Sequence, residues 1–311
     1  MPDLNLDDLK QLRAVTNALF KRGAGPMKLQ AVLSKLMVLA AAAAVLVLSI
    51  FAQSCSQGGR AGQSSAAAMG DQVREAISII ERAGVKGGFV VHVNCGNGVL
   101  TEALRVNDRY LVHGLDYRAD NILKARQYIR SKDKYGPVSV DRLIGNRLPY
   151  MDNLVNLIVA ENLGDISMGE VTRVLAPNGV AMIKQGNSWK KTVKPRPAEM
   201  DEWNQYLHGA DGNMVSEDEL VGPVKHYQWI GSPKWARHHD TTASMSALVS
   251  ANGRIFYILD EGPKESIQLP PKNFLVARDA FNGTVLWKIP LPDWQNHLFP
   301  LKTSEIVRQV I

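Results

Sequence analysis

At 311 residues, with 45% hydrophobic and 21% charged residues, the chain has room for about two globular domains of ordinary composition. The formal net charge of +6 falls to +3 once the first 54 residues are set aside, and no basic stripe interleaved with aromatics follows, so nucleic acid is not an expected partner. Two cysteines, Cys55 and Cys95, exclude a disulfide framework or a cysteine metal cluster.

Residues 36–52 run for 17 positions without a charge, behind Lys28 and Lys35 and ahead of a small, polar run from Gln53 to Arg60. Their length falls between a signal-peptide core of about 7–15 apolar residues and a spanning helix of about 20, so the segment is an export signal or an anchor. Met27 opens a natural-looking start, which makes residues 1–26 a leader or a misassigned start and 27–54 the signal peptide or membrane anchor. Cleavage after Ser54 would leave Cys55 first, as in a bacterial lipoprotein. The expected location is therefore exported, periplasmic or membrane-anchored, with the membrane met through residues 36–52.

Residues 55–70, rich in Gly, Ser, Ala and Gln, read as a flexible linker. Helical and strand patterns then alternate. Helices are predicted over 72–84, about 99–105, 119–131 and 168–175, and strands over 89–93, 110–115, 138–143, 155–160 and 179–184. Near-continuous apolar strands between helices specify an α/β domain, a Rossmann-like doubly wound parallel sheet.

Within that pattern the stretch from Gly88 to Leu100 is the most informative. An apolar strand, Phe89 to Val93, runs into a turn in which Gly96 and Gly98 let the backbone approach a ligand, and the helix that follows aims its N-terminus at the turn. Asp116 lies 18 residues after Gly98 at the end of the next apolar strand, where a carboxylate can accept hydrogen bonds from two ribose hydroxyls. Thr101 stands where a nicotinamide-binding turn prefers a third glycine, which disfavours a dinucleotide.

The order VVHVNCGNG, GLD, VLAPNGV resembles the class I S-adenosylmethionine-dependent methyltransferases over residues 71–190. That resemblance implies S-adenosylmethionine as cofactor and methyl donor. It places Asn94, Cys95, Gly96, Asn97 and Gly98 around the methionyl and ribose parts, and Asp116 on the ribose hydroxyls. Three positions depart from the family pattern. Asn94 replaces a usual glycine, although asparagine tolerates left-handed backbone better than most residues. His92 replaces a common acid, and a buried histidine bonded to the backbone explains it equally. Ile144 stands where an acid or amide meets the adenine amine, and it cannot make that bond. Glu161, just beyond the fourth strand, is the candidate acceptor-side base at the sheet's carboxyl edge, or else a solvated loop carboxylate.

Residues 191–222 read as a linker with a short helix over 197–208, whose first turn holds Glu199, Asp201 and Glu202. The pair His238 and His239, followed by Asp240, suggests a metal. Neighbouring histidines on a strand point to opposite faces, however, and no third ligand follows at good spacing. Two hairpins come next, 246–250 with 254–260 and 273–279 with 284–290, the first turned by Asn252-Gly253. The second hairpin, with Ala277, Asp279, Gly283 and Trp287, resembles the repeat of pyrroloquinoline-quinone-type β-propellers. Such rings need about four to eight blades, so residues 223–311 amount to a partial propeller of about one blade, with 226–230 as a further strand. Its open face is expected to expose Phe256, Ile258, Leu275 or Trp287 and to offer a surface to protein partners. Pyrroloquinoline quinone itself is not expected in so short a piece.

Two functions follow. One is a methyltransferase-like protein fused to a quinoprotein-like propeller, its acceptor unnamed by the sequence. The other is a non-catalytic exported binding or scaffold module with a degenerate Rossmann-like domain. A methyl donor is a cytoplasmic metabolite, whereas propellers of this kind are commonly periplasmic, and the second reading removes that conflict.

Overall fold

The computed structural model describes residues 70–223, 227–233, 244–265 and 269–292. The expected leader, the apolar segment 36–52, the linker up to residue 69 and the stretch 238–240 lie outside the described residues. Among the described residues no helix is long and apolar enough to cross a membrane.

A helix over 70–83, α1, opens the described chain and buries Ala76, Ile79, Ile80 and Ala83, a stripe at helical spacing. There follow β1 (Gly88–Val93), α2 (Val99–Ala103), β2 (Tyr110–Asp116), α3 (Ala119–Ser131), β3 (Val138–Arg142), β4 (Val155–Ala160), α4 (Met168–Val174), β5 (Leu175–Gln185) and β6 (Ser188–Val193). These six strands form one sheet in the order β3-β2-β1-β4-β5-β6, parallel except for β6. The order reverses between β1 and β4, and their carboxyl ends therefore frame the switch-point crevice where open α/β sheets bind ligands.

Both faces of the sheet are covered, which is why its central strands read as apolar runs broken only by His92 in β1 and Asn156 in β4. On one face Val90, Val112, Leu157 and Met182 pack under α1, α2 and α3; on the other Val91, Leu115, Ile158 and Ala181 pack against α4 and the 143–154 connection. Ser167 caps α4 by accepting from the Glu170 N–H at 3.1 Å. Glu170 and Arg173 then hold the 143–154 connection. The Leu148 N–H donates to Glu170 Oε1 at 2.7 Å, and Arg173 donates to the carbonyls of Leu148 and Tyr150 and to Asp152.

The secondary structure departs from the expected elements in four main places. Strand β5 begins at Leu175 rather than 179 and absorbs the Pro177-Asn178-Gly179 turn as a bulge, with Asn178 at φ 63°. Ser188–Val193 pairs with β5 across the expected boundary at residue 190, because buried Trp189 packs back against α1. The expected helix over 197–208 does not form: Asp201 instead accepts from Ser216, His208 and the Glu217 N–H, tying the segment into an irregular loop. Residues 227–230 are not strand; Trp229 there packs against Gly283 and donates its indole N–H to the Ala280 carbonyl at 2.8 Å.

A second, antiparallel sheet of four strands follows in the order β10-β9-β8-β7: β7 (Met245–Ala251), β8 (Arg254–Asp260), β9 (Asn273–Asp279) and β10 (Val285–Pro290). Asn252 and Gly253 take φ 49° and 70°, the two positive values that a tight hairpin turn requires. Ile258 is buried, and Phe256, Leu275 and Trp287 are half-buried, so the expected exposure of these four is corrected. The sheet is fastened to the amino edge of the first by polar contacts. Asn156 on β4 donates to Asp279 Oδ2 at 2.7 Å, while its own Oδ1 accepts from the Phe89 N–H at 2.7 Å and from Asn282 at 2.6 Å.

Candidate functional site

The turn after β1 lies at the carboxyl edge of the sheet. Asn94 and Gly96 adopt left-handed backbone, with φ 56° and 55°. A Cβ added to Gly96 would meet nothing within 4 Å, so this glycine faces open space. Gly98 has the opposite reason to be glycine: at φ 79° its Cβ would meet Ala125 of α3 at 2.7 Å, and its absence lets α2 start against that helix. Asn97 accepts the Val99 N–H at 3.2 Å.

Asp116, buried at the end of β2, binds the turn directly. Its Oδ2 accepts the Gly96 N–H at 2.9 Å and its Oδ1 the Arg118 N–H at 2.8 Å, while Asn121 donates to both oxygens at 3.1 and 3.2 Å. Each carboxylate oxygen has two lone pairs and already accepts two of these bonds, so a ribose hydroxyl would take the place of the shared Asn121 amide, whose bonds are the longest of the four. The structure thus brings together Asn94, Cys95, Gly96, Asn97, Gly98 and Asp116.

Beneath the turn, Thr101 and Cys95 pack against Gly114, where a Cβ would meet them at 3.0 and 3.1 Å, and His92 stands opposite Gly114 in the register of β1 and β2. Burial pushes the Cys95 thiol up to about 12, so it is protonated and inert. His92 Nδ1 lies 2.8 Å from Thr101 Oγ1, a side-chain partner rather than the backbone one expected. Burial lowers the imidazole to about 4 against the opposing pull of Glu161 and Asp116, and leaves it neutral at neutral pH.

Two buried polar atoms flank this turn without a hydrogen-bond partner among the described residues, His92 Nε2 and the Tyr117 hydroxyl. An unsatisfied buried group costs roughly 1–3 kcal/mol, so each of these atoms leaves a polar demand beside the turn unmet. Tyr117 sits over the loop after β4, its hydroxyl 3.8 Å from a Cβ added to Gly164. The Asn94 amide donates across the same gap to the Asn162 carbonyl at 2.7 Å.

Glu161, half exposed just beyond β4, pairs with Lys184 at 2.8 Å, and Lys184 also reaches Glu75 at 3.4 Å. Glu75 in turn accepts the Trp189 indole N–H at 3.1 Å. Ile144, 78% exposed beyond β3, presents only hydrocarbon. Sequence reasoning missed Tyr117 and Asn121, and read Thr101 only as the absence of a third glycine. Their signal was position: one residue after the acid, the first turn of α3, and the first turn of α2.

Strand order, a glycine turn opening a helix and a carboxylate closing β2 define a Rossmann-like methyltransferase fold. A family model described as a methyltransferase domain matches residues 85–244, just over half of the chain, and the chain belongs to that family. Membership implies S-adenosylmethionine as methyl donor. Among solved structures, a provisionally named S-adenosyl-L-methionine-dependent methyltransferase of Methanococcus maripaludis is 22% identical, over 36% of this chain and 53% of its own, with a TM-score of 0.33. The YcgJ protein of Bacillus subtilis is 19% identical over 35% and 49%, with a TM-score of 0.32. Geranyl diphosphate C-methyltransferase of Streptomyces coelicolor A3(2), solved with Mg2+, geranyl diphosphate and S-adenosyl-L-homocysteine, is 16% identical over 35% and 44%, with a TM-score of 0.33. The chain spans about half the length of these structures. No curated protein matches it.

Proposed function

We propose that the turn 94–98 and Asp116 hold S-adenosylmethionine, and that the domain transfers its methyl group to an acceptor entering at the carboxyl edge of the sheet. The bond from Asp116 to the Gly96 N–H carries this reading, because it presses the ribose-binding acid against a turn whose Gly96 faces open space. The unpartnered His92 Nε2 and Tyr117 hydroxyl add polar atoms beside it. The donor supplies a sulfonium methyl: the acceptor's lone pair forms the new bond to carbon, the carbon–sulfur pair stays on sulfur, and the acceptor's proton leaves. Asp116 fixes the ribose, the 94–98 backbone positions the methionyl part, and Glu161, steadied by Lys184, is the carboxylate placed to take the proton. Ile144 offers adenine an apolar contact in place of a hydrogen bond.

A second reading, a non-catalytic binding or scaffold module, is favoured by the Asn94–Asn162 bridge over the crevice and by the contacts Asp116 already makes. Calorimetric titration with S-adenosylhomocysteine separates the two. The first predicts saturable one-to-one binding, weakened about tenfold or more in Asp116→Ala and Asp116→Asn through loss of charge-assisted bonds. Absence of heat at millimolar ligand in the wild-type chain selects the second.

The further assignments are of the same kind. Residues 71–190 are taken as the methyltransferase-like unit, carried on to Val193 by β6, with the rest of 191–222 as linker and 223–311 as a quinoprotein-like propeller segment. The four-stranded antiparallel meander and the Ala277, Asp279, Gly283, Trp287 pattern support the blade. The uncharged segment 36–52 supports export or membrane attachment.

A further inference from the structure

At the opposite, amino edge of the six-stranded sheet, the α1–β1 connection and the starts of β2 and β4 face the β7–β8 hairpin across a cleft of about 600 Å3. That is the size of a small-molecule site, typically about 300–1,000 Å3. Its lining carries four cations against one carboxylate, Asp279, on which the Arg254 charge acts through space. Lys86, Arg109 and Arg254 all border it and are exposed, and none of the three is in an ion pair among the described residues. Lys191 borders it too, but its ammonium is held by the carbonyls of Arg82 and Ala83 at 3.2 and 2.7 Å. The carboxylate in the lining, Asp279, is occupied by Asn156 and by the N–H groups of Phe281 and Asn282 at 2.7, 2.9 and 3.1 Å, so it forms no ion pair with an arginine. Beside the cations stand aromatic faces: Phe256 and Trp287, centroids 5.9 Å apart, with Phe281 in the same lining.

Unpaired guanidinium groups next to half-buried rings select a particular chemistry. Guanidinium recognises carboxylate or sulfonate with paired, directional bonds, and aromatic faces add area for a flat apolar body. We infer that this cleft is a binding site for a small planar organic anion, an aromatic carboxylate or sulfonate, whose charge meets Arg109 and Arg254 and whose ring lies against Phe256 and Trp287. The site lies at the edge of the sheet away from Asp116, so it stands whether or not the methyl donor binds.

The test is calorimetric titration of the full chain with naphthalene-2-sulfonate, beside 2-naphthol as the uncharged probe of the same body. Saturable one-to-one binding of the sulfonate is expected, with 2-naphthol at least about tenfold weaker. Arg109→Ala combined with Arg254→Ala should weaken the sulfonate about tenfold or more while leaving the urea midpoint unchanged, since both side chains are exposed. Phe256→Ala should weaken both probes. No saturable binding at millimolar sulfonate, equal binding by the double variant, or equal affinity for the two probes would each overturn the assignment.

Discussion

His92 should make the folded chain sensitive to acid in a window fixed by its surroundings. Unfolded, an imidazole takes its proton near pH 6.5; in the folded chain burial holds it off until about pH 4, with Glu161 and Asp116 opposing that shift. Between those values the unfolded chain binds the extra proton, so the stability is fully present above about pH 6.5 and is lost as pH falls toward 4. At ~1.4 kcal/mol per pH unit, the whole window is worth about 3 kcal/mol, and the part between about pH 7 and pH 4.5 about 2–3 kcal/mol. Urea unfolding at several pH values, for the wild-type chain and His92→Gln, measures it. Carboxylates titrating at the acid end act in both proteins, so the difference between the two slopes isolates the imidazole. The wild-type chain should lose about 2–3 kcal/mol more than the variant. Parallel curves would refute the claim that His92 is buried neutral beneath the turn.

Asn156→Ala removes three bonds joining Phe89, Asp279 and Asn282, and should lower stability by about 2–4 kcal/mol in urea unfolding while speeding amide exchange in β9 and β10. Gly98→Ala meets Ala125 at 2.7 Å in a left-handed conformation and should lower stability by about 1–3 kcal/mol, whereas Gly96→Ala, facing open space, should lose only its backbone strain of about 1–2 kcal/mol. The Arg173 guanidinium holds the Glu170 carboxyl below its ordinary range, a contribution present above the unfolded value and lost as pH falls. Arg173→Ala should therefore raise the Glu170 titration seen by NMR and loosen the 143–154 connection.

The parallel sheet was legible because its strands are covered on both faces, and near-continuous apolar runs such as residues 157–160 carry that information in sequence. The hairpin at Asn252-Gly253 was legible for a local reason, two adjacent residues that accept positive φ. β6 was not, since its sequence, Ser188 to Val193, is mostly polar and only Trp189 is buried against a helix a hundred residues away. Local acidity over 199–202 suggested a helix start, and long-range bonds from Asp201 to Ser216 and Glu217 overrode it. At the site, the turn and Asp116 were readable as a spacing. The partners of Asp116, the unpartnered Tyr117 hydroxyl and the bridge from Asn94 to Asn162 depend on loops that meet only in the fold.

The central claim is that a methyl donor lies on the 94–98 turn against Asp116. Ultraviolet crosslinking of radiolabelled S-adenosylmethionine to the full chain, followed by peptide mapping, tests it most directly. Label confined to peptides containing residues 94–98 and 116–117, and displaced by S-adenosylhomocysteine, is the predicted result. Label on other peptides alone, or labelling that S-adenosylhomocysteine does not displace, would contradict it.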